Sequence, residues 1–248
     1  MSDGLTHAHG QGEPLLVVED LVKRFGGFRA LDGVTFALHP GEVLGLVGPN
    51  GSGKTTCINV ISGLYPPDGG RVLFKGHSIG GVASHLLARR GINRTFQSPK
   101  PFLSLTVMEN VEVAATYGNP RASPDLKALL ESLALDRYAT RPARELNSAQ
   151  QKTLDLGRAL ATSPRVLLVD ELAAGLNQAE LALMAERLRA LAAQGVALLV
   201  VEHLMGFIDS VTDRVVVMNA GKELFEGTLA GATRDPDVIR VFLGGAHG

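Results

Sequence analysis

The stretch Gly48-Pro49-Asn50-Gly51-Ser52-Gly53-Lys54-Thr55 decides the reading of this chain, because it fits the pattern G-x-x-x-x-G-K-[ST] and has the right flanks. The apolar run Val43-Leu44-Gly45-Leu46-Val47 leads into it, and Thr56-Cys57-Ile58-Asn59-Val60-Ile61 follows with helix-compatible spacing. The order is strand, glycine loop, helix. Glycines let the main chain wrap phosphate oxygens, with successive N–H groups and the helix N-terminus aimed at the anion. In such a loop Lys54 reaches the β- and γ-phosphates and the Thr55 hydroxyl meets Mg²⁺. The implied ligand is a nucleoside triphosphate cradled by residues 48–56. The bland alternative, a glycine-rich turn before an ordinary helix, weakens with each partner found for the loop elsewhere in the chain.

Working outward, 248 residues with 45% hydrophobic and 20% charged side chains suffice for a substantial core in one large or two small domains. A net charge of −1 and a pI near 6.7, without a basic stripe, argue against nucleic acid as a main partner. Arg89-Arg90 is the densest basic pair and reads as a solvated face. The longest apolar stretches, such as Val196-Ala197-Leu198-Leu199-Val200-Val201, fall far short of the ~20 residues a bilayer requires. Any membrane association is therefore expected through a partner. Residues 1–13 are polar and glycine-rich, without the features of a secretory signal, and read as a disordered tail in which His7 and His9 are solvated. The lone Cys57 excludes an internal disulfide and suits a reducing cytosol.

Leu15-Leu16-Val17-Val18, Val34-Thr35-Phe36-Ala37-Leu38 and Arg71-Val72-Leu73-Phe74 are short and β-rich, which predicts an antiparallel sheet around the first nucleotide strand. Pro66-Pro67-Asp68-Gly69-Gly70 reads as a turn. From residue 98 to 145 the texture becomes helical. Ser123-Pro124-Asp125 predicts an N-cap with proline at the first helical position, and Leu126, Leu129, Leu130 and Leu133 then follow i, i+3, i+4, i+7 as core. Strand and helix alternation then returns. Arg165-Val166-Leu167-Leu168-Val169 is a buried strand, Asn177 caps a helix through Leu181, Met184, Leu188 and Leu191 that stops near Gly195, and residues 196–201 form the next strand. Residues 214–218 and 222–225, separated by Asn219-Ala220-Gly221, predict a late hairpin. The expected architecture is α/β: a P-loop core with a parallel sheet (residues 14–97 and 162–248), an antiparallel β subdomain, and an inserted α-helical subdomain over 98–161.

The strand before Asp170-Glu171 puts two carboxylates at its C-terminal end, where open parallel sheets hold their ligands. Asp170 is the natural partner for Mg²⁺, and Glu171 is placed to polarise the water that attacks the γ-phosphate.

Three further segments complete a set. Arg94-Thr95-Phe96-Gln97 precedes the helical stretch, Leu146-Asn147-Ser148-Ala149-Gln150 ends twenty residues before Asp170, and His203 follows the strand at 196–201. In order and spacing over nearly the whole chain, the set resembles the ATP-binding cassette family, the nucleotide-hydrolysing subunits of ABC transporters. The resemblance implies ATP and Mg²⁺ as cofactors. It implies that Phe25 stacks on adenine, although Phe25 and Phe28 both also suit a core. It further implies that Gln97 senses Mg²⁺ and the attacking water, that His203 contacts the γ-phosphate, and that Leu176-Asn177 lies where two cassettes cross. Lys54, Gln97, Glu171 and His203 are then the catalytic set, Thr55, Gln97 and Asp170 the metal set, and Ser148 and Gln150 contacts to a partner's nucleotide.

Two positions depart from the family. Its signature usually reads Leu-Ser-Gly-Gly-Gln, whereas Asn147, Ser148 and Ala149 fill the middle here. Ser148 is expected to cap the following helix, while Ala149 adds a Cβ where glycine permits close approach or positive φ. The expectation is a sound nucleotide site on this chain and a weakened one on its partner. Leu172 stands where the family usually places proline, which removes a restraint beside Glu171.

Arg234-Asp235-Pro236-Asp237-Val238-Ile239-Arg240-Val241-Phe242-Leu243-Gly244, with the segments at 94–97 and 170–177, is similar to cassettes that energise branched-chain amino acid import. That likeness implies membrane permeases, a second cassette (non-identical, with a homodimer as the alternative) and, indirectly, a periplasmic binding protein as partners. It places the chain in the cytoplasm against the inner face of the cell membrane. Related amide or urea importers, and a soluble cassette ATPase acting on ribosomes or DNA, are the alternatives.

Overall fold

The computed structural model describes residues 12–95 and 99–244. Strands β1 (Leu16–Phe25) and β2 (Phe28–Leu38) precede β3 (Val43–Val47), which leads through the glycine loop into α1 (Lys54–Ile61). Next come β4 (Gly69–Phe74), β5 (His77–Ser78), α2 (Ser84–Arg90) and β6 (Ile92–Arg94). Helices α3 (Val107–Tyr117), α4 (Leu126–Ser132) and α5 (Ser148–Ala161) follow, then β7 (Val166–Asp170), α6 (Gln178–Ala193) and β8 (Ala197–Val201). The chain ends with α7 (Met205–Val211), β9 (Arg214–Asn219), β10 (Lys222–Gly227), α8 (Leu229–Ala232) and α9 (Pro236–Gly244).

Two sheets result, one with strand order β2-β1-β4-β5 and the other with order β10-β9-β3-β8-β7-β6. The first is antiparallel, as expected, but β3 is not in it. β3 sits inside the second sheet, parallel to β8 on one side and β9 on the other, so the antiparallel sheet is a separate layer. Every residue of β3, β7 and β8 is buried, the pattern of strands covered on both faces. Their side chains alternate between two cores. Leu44, Leu46, Leu168 and Leu199 join α1 and the inner face of the antiparallel sheet, while Leu167, Val169, Leu198 and Val200 join α3, α4, α5 and α6. The helices between β6 and β7 therefore share a core with one face of the nucleotide sheet. Burial of each such Leu or Val is worth roughly 1.5–3 kcal/mol. Arg214 on β9 ties the two sheets together, bonding Glu42 at 2.5 Å and also the Glu226 carboxylate and the Ala37 carbonyl.

Two local expectations need correction. Asp125, not Ser123, caps α4, accepting from Lys127 N and Ala128 N, so Pro124 precedes the cap and is not the first helical residue. A carboxylate one residue before the helix reaches the free N–H groups, which a serine three residues before it does not. The late hairpin turns on Ala220-Gly221 alone, both at positive φ (47° and 80°), because Asn219 still pairs with Lys222. The short strands β5 and β6 were not foreseen; each is too brief to show a period of two. The expected tail at residues 1–13 falls mostly outside the described residues.

Candidate active site

Gly48 and Gly53 are fixed by geometry as well as motif. A Cβ on Gly48, at φ 150°, would lie 2.2 Å from the Met218 carbonyl oxygen, and one on Gly53, at φ 108°, would lie 2.6 Å from that of Ala30. The loop thus packs its own backbone against β9 and β2, leaving its other side open at Asn50 and Gly51, which are exposed. No side chain caps α1 among the described residues, so its first N–H groups stay available for an anion. Lys54 is buried and folds back into the loop, donating to the carbonyls of Gly48 (2.8 Å) and Pro49 (2.9 Å). Burial lowers its pKa, and the Glu171 carboxylate pulls it back up, which places the two groups within electrostatic reach. Thr55 is exposed at the helix start and Thr56 half-buried behind it.

Asp170 closes β7 with its carboxylate almost wholly buried. Arg94, the last residue of β6, donates to it at 2.8 Å and also bonds Asn59 (2.7 Å) and Ser62 (3.2 Å) at the far end of α1. Burial pushes the Asp170 carboxyl up; the Arg94 guanidinium opposes this and the Glu171 charge adds to it. Glu171 holds φ 48°, a left-handed conformation unusual for a residue with a Cβ. Its backbone N–H bonds Val201 of β8 at 2.9 Å. Its Oε1 pairs with His203 Nε2, also at 2.9 Å, and His203 is itself exposed. The ends of β3, β7 and β8 thus gather the ammonium, two carboxylates and an imidazole at one edge of the sheet.

Phe25 and Phe28 are not core aromatics, being 44% and 64% exposed at the turn end of the β1–β2 hairpin. Phe25 meets the edge of Tyr65 at 5.3 Å, with the Lys23 ammonium 5.6 Å from its ring. In the signature segment Asn147, not Ser148, caps α5. Its side chain accepts from Gln150 N while the Gln150 side chain accepts from Asn147 N, both at 2.9 Å. Ser148 is the first helical residue and exposed, and Ala149 is helical, so its position needs no positive φ. Asn177 caps α6 with Glu180 in the same reciprocal way, as its sequence suggests. Leu172 is buried in the core shared with the helices. Gln97 and Phe96 lie outside the described residues.

Sequence reasoning missed Arg94 as the bridge between α1 and Asp170, Tyr65 beside Phe25, and the buried pair Lys152 and Glu202. Arg94 had a signal, its place at the head of Arg94-Thr95-Phe96-Gln97. Tyr65 had none, since it lies in the loop after α1 and its neighbour comes from β1.

The profile of the ABC transporter family matches residues 31–174. The ATP-binding protein BraF of Pseudomonas aeruginosa, named for high-affinity branched-chain amino acid transport, is 37% identical over 94% of this chain and 99% of its own. LivG of Escherichia coli, which bears the same description, is 36% identical over 94% of this chain and 99% of its own. Among solved structures, the ADP conformation of MJ1267, an ATP-binding cassette of an ABC transporter, superposes with a TM-score of 0.85 at 33% identity, covering 94% of this chain and 100% of that one. The chain belongs to the ABC transporter family as an ATP-binding cassette. Its relatives and its P-loop together define an ATPase coupled to transport.

Proposed function

We propose that the chain is the ATP-hydrolysing subunit of an importer for branched-chain or other hydrophobic amino acids. One observation supports the chemistry above the rest: the Glu171–His203 pair at 2.9 Å stands at the strand ends that also bear Lys54 and Asp170. The names borne by BraF and LivG support the cargo.

In this reading the backbone N–H groups of residues 50–54 and the Lys54 ammonium bind the β- and γ-phosphates, and Phe25, braced by Tyr65, stacks on adenine. Glu171 polarises a water for in-line attack on the γ-phosphorus, while His203 orients Glu171 and contacts the γ-phosphate. The residues fit Mg²⁺: Thr55 offers an exposed hydroxyl and Asp170 a carboxylate, hard oxygen donors that leave room for phosphate oxygens and water, with Gln97 as a further ligand. When bound, the ion neutralises charge on the phosphate oxygens. Across a head-to-tail dimer, Ser148 and Gln150 face the partner cassette's nucleotide and Leu176-Asn177 lines the crossing.

Closure on ATP and release after hydrolysis move the helical subdomain (98–161), which passes the motion to membrane permeases. Among the described residues no helix is long and apolar enough to cross a membrane. In this reading the permeases hold the chain at the inner face of the cell membrane. A second cassette, non-identical because of the altered signature, completes the complex, and a periplasmic binding protein selects the cargo; nucleic acid has no part.

The test is transport by the assembled complex in vesicles. ATP-dependent uptake of leucine, isoleucine or valine supports the proposal. Uptake of urea or short amides instead, or co-purification with ribosomes and not membranes, overturns the cargo or the transport reading respectively.

A further inference from the structure

Lys152 and Glu202 are ionisable and buried, only 6% and 2% exposed, and none of the roles above uses them. Burying such groups is unfavourable unless they are well partnered. Their partners are consecutive. Lys152, on α5, donates to the Leu172 carbonyl at 3.0 Å and to the Ala174 carbonyl. Glu202, directly after β8, accepts from the backbone N–H of Ala173 at 2.6 Å. One cation and one carboxyl thus grip the backbone of residues 172, 173 and 174, immediately after Glu171.

That grip lies where restraint is needed. Glu171 holds φ 48°, a conformation kept by a residue with a Cβ only when its surroundings enforce it. The following residue is leucine, whose φ no ring fixes. Charges facing the pair include Glu171, which acts on both groups.

We propose that Lys152 and Glu202 are positioning residues for hydrolysis, clamping residues 172–174 so that Glu171 stays in its left-handed conformation and aimed at His203. The proposal rests on Glu171 being the residue that activates water. Lys152 lies one turn from Ser148 on the same helix, so the clamp also links the signature segment to Glu171. Movement of α5 is transmitted to the carboxylate through the two carbonyl bonds.

The test uses the full chain with Lys152→Met and Lys152→Arg, read by amide hydrogen exchange and by ATPase kinetics. In Lys152→Met, exchange over residues 172–177 rises about tenfold while residues 43–47 and 54–61 exchange as in the parent. Turnover falls about tenfold or more, with nucleotide affinity within about twofold of the parent. Lys152→Arg restores both. Parent-like exchange in Lys152→Met overturns the clamp, and faster exchange with parent turnover overturns its role in placing Glu171. Should Lys152→Met fail to fold, Lys152→Gln takes its place, with the same two measurements and the same results deciding. Exchange decides the clamp even in a chain that hydrolyses nothing, so absence of turnover in the parent counts against the ATPase reading alone.

Discussion

Arg94 Nη2 lies 2.8 Å from Asp170 Oδ2, joining the last residues of two neighbouring parallel strands, β6 and β7. The same guanidinium reaches Asn59 and Ser62 at the far end of the phosphate helix. One half-buried cation therefore fixes the aspartate relative to α1. Its other effect is electrostatic, since it counters the upward push of burial on the Asp170 carboxyl.

Removing that cation leaves a buried carboxylate without its partner. Arg94→Met should lower unfolding stability by about 3 kcal/mol. Urea denaturation measures this, and adding Asp170→Asn should recover roughly half of the loss, because the stranded charge is then gone. Unchanged stability in Arg94→Met would show that the pair is solvated.

The glycines of the loop should separate by environment. Gly48→Ala drives a Cβ to 2.2 Å from the Met218 carbonyl, so it should abolish nucleotide binding and lower Tm by more than about 4 °C. Gly51, at φ 78°, has no atom within 4 Å of a built Cβ, so Gly51→Ala should cost only about 1 kcal/mol of backbone strain. Equal effects of the two, by calorimetry and nucleotide titration, would contradict the packing described.

Glu202 gives the protein a pH signature. Burial raises its carboxyl from the ordinary 4.5 to about 7, against the pull of the Ala173 and His203 backbone N–H groups. The folded state thus holds a proton that the unfolded state has released. Its stabilising contribution is complete below pH 4.5 and is lost as pH rises through about 7. Glu202→Gln cannot titrate, so its stability relative to the parent should improve by on the order of 2–3 kcal/mol between pH 5 and pH 8. Denaturant curves across that range check this; a constant difference would refute the raised pKa.

In the proposed dimer Ala149 faces the partner's nucleotide. It is helical, so Ala149→Gly relieves no strain and should cost under about 1 kcal/mol in stability. If its Cβ holds the signature helix away from the other cassette's γ-phosphate, the glycine variant should raise ATP turnover of the assembled complex severalfold. Unchanged turnover would mean that the altered signature is compatible with full activity.

Much of this was legible because the informative residues were close in sequence. The phosphate loop, the carboxylate pair and the Asn177 cap each announce themselves within a few positions, and buried parallel strands read as unbroken apolar runs. The rest depended on distance along the chain. Phe25 was ambiguous until the β1–β2 hairpin placed it in the open beside Tyr65. Ser148 suits a cap because serine commonly is one and Gln151 stands three residues on, yet the structure uses Asn147 with Gln150 as the reciprocal pair and commits the Gln151 side chain to the Leu146 carbonyl. Lys152 in an amphipathic helix reads as a solvated charge, and only the fold brings the carbonyls of 172 and 174 to it.

In the proposed mechanism Glu171 readies water for attack on a bound triphosphate. Single-turnover ATP hydrolysis by Glu171→Gln isolates that step, with nucleotide affinity measured in the same protein. The rate should fall about 100-fold or more, with affinity within about threefold of the parent. Hydrolysis at the parental rate, with nucleotide bound equally well, would contradict it.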